Sequence, residues 1–147
     1  MKRVTRSAIV EHSAEEMYRL VEDIESYPGF LSWCLASRVH ERGAASTRAT
    51  LTVGMPGLRQ SFTTRNDNRP SQSIDMNLIE GPFKTFSAGW RFHPLSPKAC
   101  RIEFTVRYEF SSRMLARLLE PLFDGIANTM VDAFTRRAGE RYGRAAG

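Results

Sequence analysis

Between Cys100 and Phe110 every second residue is apolar or aromatic: Cys100, Ile102, Phe104, Val106, Tyr108 and Phe110. The residues between them are Arg101, Glu103, Thr105, Arg107 and Glu109. Successive side chains of a strand point to opposite faces, so strict alternation of this length demands a strand with one buried face and one wet face. An antiparallel sheet covered on one side satisfies that demand; a parallel sheet covered on both sides does not. Just downstream the period changes. Beyond Ser112 the apolar residues are Leu115, Leu118, Leu119, Leu122, Phe123, Ile126, Met130, Ala133 and Phe134, the spacing of a long helix with an apolar stripe. Pro121 lies inside it and predicts a kink or a break, because proline has no N–H for the carbonyl four residues back.

Further alternating runs precede this pair. Ala49, Leu51 and Val53 form one. Leu58, Gln60, Phe62 and Thr64 form a second, Ile74, Met76 and Leu78 a third, and Phe86, Ala88, Trp90 and Phe92 a fourth. Short turn signals separate them (Glu41-Arg42-Gly43, Pro56-Gly57, Asn68-Arg69-Pro70 and Ser96-Pro97-Lys98), and short turns join antiparallel neighbours. Upstream, residues 3–12 read as a first strand with Val4, Arg6, Ala8 and Val10 on one face. Ser13-Ala14-Glu15-Glu16 fits a capping box opening a helix whose stripe is Met17, Leu20, Val21 and Ile24. A second short helix or turn runs through Ser26-Tyr27-Pro28-Gly29-Phe30-Leu31. The order is strand, two short helices, a six-strand meander and a long helix. It predicts an α+β fold in one domain, 1–147: a curved antiparallel sheet of about seven strands wrapped around the C-terminal helix. That helix is the only element large enough to cover the dry face. A cylinder does not fill a saddle, and the gap left over is the candidate ligand site.

With 147 residues, 41% hydrophobic and 25% charged, the chain is globular and long enough for a real core. No apolar run approaches the roughly 18 residues of a membrane span. Met1-Lys2-Arg3-Val4 leads into charged sequence rather than a secretory core, so the expected location is cytoplasmic. Cys34 and Cys100 read as reduced thiols with no metal-site spacing. The net charge of +5 suits an anionic partner. His12, His40 and His93 fall at strand ends or on wet faces, with no neighbouring ligand or nucleophile, and no P-loop or nucleophile elbow is present. The inward faces are almost free of titratable groups. The expectation is a non-enzymatic protein that requires no metal and no cofactor.

The stretch Tyr27-Pro28-Gly29-Phe30-Leu31-Ser32-Trp33-Cys34 is followed by Val53-Gly54 with Gly57-Leu58, then Ser61-Phe62-Thr63-Thr64-Arg65. Gly81-Pro82-Phe83-Lys84, Trp90-Arg91-Phe92 and Met130-Val131-Asp132-Ala133-Phe134 complete the series. Together, in this order, these residues resemble the START-like helix-grip superfamily, in its ubiquinone-binding and polyketide-cyclase-like branch. Ser32 stands where members often carry proline. Bacterial members include RatA-type ribosome-association toxins of toxin–antitoxin systems; mitochondrial members bind quinone in support of respiration. The resemblance implies an apolar cavity for an isoprenoid quinone (ubiquinone-like) or another lipid, carried or chaperoned. The second implied reading is a protein that binds the large ribosomal subunit and blocks subunit association. A polyketide cyclase is the weakest of the three, because it would need an acid or base in the cavity.

On this reading the ligand-binding set is Phe30, Trp33, Leu51, Val53, Gln60, Phe62, Thr64, Met76, Leu78, Phe83, Trp90, Phe92, Phe104, Leu119, Phe123 and Met130. Each apolar member has an alternative role as plain core. Gln60 and Thr64 share parity with Phe62. Either they point inward, one of them donating to a quinone carbonyl, or a twist or bulge leaves them wet or bonded to protein. Two apolar loop tips beside cations, Met55 to Arg59 and Phe83 with Lys84, suit peripheral contact with an anionic membrane. The alternative is that they fold back as a lid. Arg136, Arg137, Arg141 and Arg144 cluster at the C-terminus. There they complement the helix dipole or face RNA, although Tyr142 alone interleaves them.

Overall fold

The computed structural model describes residues 1–143. Strand β1 (Lys2–Val10) leads to helix α1 (Ala14–Glu22) and a short 3₁₀ helix (Ile24–Gly29). Six strands follow: β2 (Cys34–Arg42), β3 (Ser46–Met55), β4 (Leu58–Arg69), β5 (Ser73–Glu80), β6 (Phe83–Ser96) and β7 (Ala99–Phe110). Helix α2 (Arg113–Tyr142) closes the chain. All seven strands form one antiparallel sheet in the order β1-β7-β6-β5-β4-β3-β2, so the meander is consecutive and β1 returns to pair with the last strand. This is the helix-grip architecture expected from the two periodicities.

Local chemistry sets the boundaries. Ser13 Oγ accepts from Glu16 N at 3.1 Å and Glu16 Oε1 accepts from Ser13 N at 2.9 Å, the reciprocal capping box. Ser112 caps α2 by accepting from Leu115 N at 3.1 Å. Met55 pairs with Leu58, leaving Pro56-Gly57 as a two-residue turn in which Gly57 takes φ +80°, a conformation open to glycine. Gly54 is required for another reason: a Cβ there would lie 2.5 Å from the carbonyl oxygen of Leu58. Register shifts in β2, at Cys34/Ala36 and Val39/Glu41, bend the outermost strand.

Helix α2 runs unbroken through Pro121, so of the break or kink expected there the break does not occur. Pro121 and Arg117, whose carbonyl loses its donor, both lie on the exposed side, where water replaces the missing bond. The buried side of α2 drives two aromatic anchors into the sheet. Phe123 meets Phe83, Phe62 and Phe110 at centroid distances of 5.0, 5.8 and 5.7 Å. Phe134 meets Phe30, Trp90 and Tyr27 at 5.2, 5.3 and 5.5 Å. All six of these contacts are edge-to-face, a geometry that ring quadrupoles favour. The concave face is thus held at two points, three helical turns apart.

Candidate functional site

Between those two anchors the sheet and helix do not close completely. A cavity of about 60 Å³ remains, walled by Ile126, Ala127 and Met130 of α2, Ile24 and Tyr27 of the 3₁₀ helix, and inward residues of β3 to β7. It brings together Trp33, Leu51, Phe62, Thr64, Met76, Trp90, Phe104, Phe123 and Met130 from the expected set. Ala49, Asn66, Phe86, Ala88, Val106 and Tyr108 also line it. Most of these additional residues share the parity of the alternating runs, and that parity was the signal by which they could be found.

The remaining members of the expected set lie elsewhere, each for a packing reason. Phe83 stacks on Phe110 at 5.1 Å, inside the Phe123 cluster and outside the cavity. Phe92 lies parallel to Trp90 and edge-on to Tyr18, under α1. Phe30 packs between Tyr27 and Phe134 with the Arg137 guanidinium 5.1 Å over its ring. Val53 and Leu119 are solid core, and Leu78 is half-buried beside Gly81. Gln60 turns along its own strand, its Nε2 donating to Ser61 O at 3.1 Å, so it offers the cavity nothing.

The polar handle of the cavity is Asn66, two residues beyond Thr64 on the same face. Both are buried, and Thr64 Oγ1 donates to Asn66 Oδ1 at 2.8 Å. That bond holds the Asn66 amide against the cavity wall. The neighbouring pair on this face, Asn68 Nδ2 to Thr47 Oγ1 at 3.0 Å, is closed on itself. Both tyrosine hydroxyls are engaged away from the cavity: Tyr27 donates to Val21 O and Tyr108 to Asp124 Oδ1. Burial pushes both phenols well above their ordinary range, with Asp124 adding to the effect at Tyr108. No carboxylate and no histidine lines the cavity. Among the described residues no group of three His, Cys, Asp or Glu is placed to hold a metal.

The loop tips behave differently from each other. Met55 is 45% exposed and Arg59 is exposed, with Leu58 half-buried between them. The second tip is not available to a membrane. Ser111 donates to Pro82 O from both its backbone N (3.0 Å) and its Oγ (3.2 Å), which pins the turn to the start of α2 and buries Phe83. Lys84 stays exposed, 3.6 Å from Glu109. No helix is long and apolar enough to cross a membrane among the described residues. His12, expected on a wet surface, is buried instead, because Tyr142 at the end of α2 packs 5.9 Å from its ring. Of the C-terminal arginines, Arg137 is engaged with Phe30 and with Glu140 at 3.6 Å, while Arg136 and Arg141 are exposed. Arg144 lies outside the described residues.

Comparison with known proteins adds four observations. A family described as polyketide cyclase / dehydrase and lipid transport matches residues 10–135. The chain is 45% identical over 142 residues to the ribosome association toxin RatA of Escherichia coli K12, covering 97% of this chain and 90% of that protein. It is 33% identical to the mitochondrial coenzyme Q-binding protein COQ10 homolog B of Xenopus laevis, covering 95% of this chain and 59% of that one. Among solved structures, the ZhuI aromatase/cyclase from Streptomyces sp. R1128 superposes with a TM-score of 0.85 over 99% of this chain and 98% of its own. At 20% identity that likeness is one of fold.

Proposed function

The chain belongs to the polyketide cyclase / dehydrase and lipid transport family, and we propose that within it this protein is a non-catalytic, ribosome-associating factor of the RatA type. It would act in the cytoplasm by binding the large ribosomal subunit and hindering subunit joining. The observation that carries the reading is the 45% identity to RatA across 97% of the chain, against 33% to the quinone-binding relative. The interior supports it. Sites for small molecules and cofactors commonly measure about 300–1,000 Å³, and the cavity here is about 60 Å³, room for a few waters but not for a quinone ring with its tail. A cyclase finds no support in a cavity without an acid or base.

The test is sedimentation of purified protein with dissociated ribosomal subunits, followed by raising magnesium to drive reassociation. Co-migration with the large subunit and fewer joined particles are expected. Protein that stays at the top of the gradient, with reassociation unaffected, overturns the reading.

A second reading, carriage of a quinone or other lipid, is favoured by the apolar lining with a single amide side chain, Asn66. It requires the cavity to open by displacing the α2 side chains Ile126 and Met130. Organic extraction of protein purified from its own host, with mass spectrometry of the extract, tests it: one lipid recovered at stoichiometric yield supports carriage, and a blank after incubation with host membranes removes it.

A further inference from the structure

The outer face of the sheet carries an arrangement that folding alone does not favour. Its cross-strand partners form a continuous transverse row. Arg3 stands opposite Arg107, Arg107 opposite Ser87, Ser87 opposite Asn77, Asn77 opposite Arg65, and Arg65 opposite Arg48. All six side chains are exposed. Like charges directly opposite one another on a sheet face are destabilising, yet this row contains two such pairs, set three strand spacings (about 14 Å) apart.

Neutralisation within the protein is incomplete. Arg65 reaches Asp67 at 3.6 Å and Arg48 reaches Glu41 at 3.9 Å, both long, exposed contacts. Arg3 and Arg107 have no carboxylate within 4.0 Å among the described residues. Of the acids on this face, Asp75 pairs with Arg91 at 2.8 Å and Glu103 with Arg101 at 3.2 Å, outside the row, while Asp67 serves the row itself, accepting from Asn77 at 3.2 Å. Beside the row lies an open depression of about 500 Å³ lined by Ser87, Gly89 and Thr105, by Arg3, Arg107 and Arg91, and by the carboxylates Asp67, Asp75 and Glu103. A side chain at position 89 would intrude on it, since its Cβ would lie 2.8 Å from Asp75 Oδ1.

We propose that this arginine row is an RNA-contacting face that receives the phosphate backbone of double-stranded RNA. The assignment deepens the ribosome-associating reading and names ribosomal RNA as the partner at this surface. Uncompensated guanidiniums in a line fit phosphates bidentately. Ser87 and Asn77 between the two pairs supply the hydroxyl and amide donors that phosphate and 2′-hydroxyl contacts use. The row contains no aromatic side chain for a base to stack on, so it reads backbone and shape rather than single-stranded sequence. It also contains no apolar anchor of the kind that dominates protein–protein hot spots. The terminal arginines are the poorer candidate, because Arg137 is already committed to Phe30 and Glu140.

The test compares the wild type, an Arg3→Gln/Arg107→Gln variant and an Arg136→Gln/Arg141→Gln variant. Each is titrated with purified large ribosomal subunits and, separately, with a plain RNA duplex, across a salt series. The expected result is a loss of roughly tenfold or more at low salt for the sheet variant, and a log–log salt slope shallower by about two, one for each phosphate contact removed. The terminal variant should behave as the wild type. A thermal melt of the sheet variant at or above that of the wild type shows that the loss is not unfolding. Subunit binding that survives the sheet substitutions with an unchanged slope places the contact on ribosomal protein or on another surface and overturns the proposal. If the wild type binds the duplex through this row but not the subunits, the RNA face stands and the ribosomal reading falls. If it binds neither, both fall.

Discussion

The two faces of the sheet are built from alternate residues of the same strands, and they are finished to different degrees. On the concave face Phe123 and Phe134 lock the helix down at two aromatic clusters. The buried polar atoms of Thr64 and Asn66, and of Asn68 and Thr47, bond to each other, leaving a gap of about 60 Å³. On the convex face arginine stands opposite arginine twice in one row, and two of those guanidiniums have no carboxylate partner among the described residues. Interior groups left unsatisfied are expensive, so the inside of a fold must close. Exposed charges are screened and can remain unbalanced until something binds. In a family associated with cavities, this chain thus carries its unspent interactions on the outside.

Substitutions on the inner face should therefore act on stability, and those on the outer face on binding. The largest effect expected is from Phe134→Ala. Phe134 is fully buried and shares edges with Tyr27, Phe30 and Trp90. Removing it should cost about 3–5 kcal/mol, read as a lower denaturant midpoint. A cost near 1 kcal/mol would mean that the second anchor is loosely packed and the cavity easily enlarged. Next comes Thr64→Val, which takes away the donor to Asn66 Oδ1 and should cost about 1–3 kcal/mol. Combining it with Asn66→Leu removes both partners and should recover most of that loss, a coupling that a double-mutant cycle measures directly. If the double variant is as unstable as the single, water or another group serves Asn66, and the cavity is wetter than its lining suggests.

Much of this contrast was legible in the sequence. The alternation from Cys100 to Phe110 and the switch of period after Ser112 specify strand, helix and which residues face inward, because those patterns are direct consequences of backbone geometry. Parity identifies a face but not a depth, and the candidate site is decided by depth. Phe92 has the right parity and Leu119 the right helical spacing, yet both are packed away from the gap; Phe83 is out of parity with Phe86 and joins the Phe123 cluster through the register shift between Phe83 and Thr85, while Gln60 keeps parity and turns away. Asn66 shares the parity of Phe62 and Thr64 but carries no apolar signal; it is buried with its amide oxygen bonded to Thr64, which no single-residue preference encodes. The lid-like turn at Pro82 depends on hydrogen bonds from Ser111, a partner 29 residues away. The arginine row is likewise invisible to a linear reading. Arg3 and Arg107 are neighbours only because β1 pairs with the last strand of the meander.

The thiols give a smaller, pH-dependent test of how closed the interior is. Burial pushes Cys34 and Cys100 up to about 11. In the unfolded chain thiols ionise near 8.5. Between those values the unfolded state releases protons that the folded state keeps, so stability is fully present below about pH 8.5 and declines as pH rises toward 11. Denaturation at pH 8 and pH 10 should show a larger decline for the wild type than for a Cys34→Ala/Cys100→Ala variant. Equal declines would mean that both thiols are better solvated than their burial implies.

The smallest effect expected has the opposite sign and bears most directly on the difference between the faces. Arg107→Thr removes one member of the Arg3–Arg107 pair and installs a residue well suited to a strand. No carboxylate partner is lost in the exchange, so stability should rise by about 0.2–1 kcal/mol. For a chain of this size that is a gain of roughly 1–3 °C in melting temperature. Because the repulsion removed is exposed, the gain should shrink in 0.5 M salt. An unchanged melting temperature at both ionic strengths would mean that solvent already screens the pair and its proximity is incidental. A lower one would mean that the aliphatic stem of Arg107 packs on the sheet and contributes more than its charge costs. A gain that salt abolishes would show that this face is held in a less stable arrangement than a single substitution can reach, which is the condition expected of a surface shaped by what it binds.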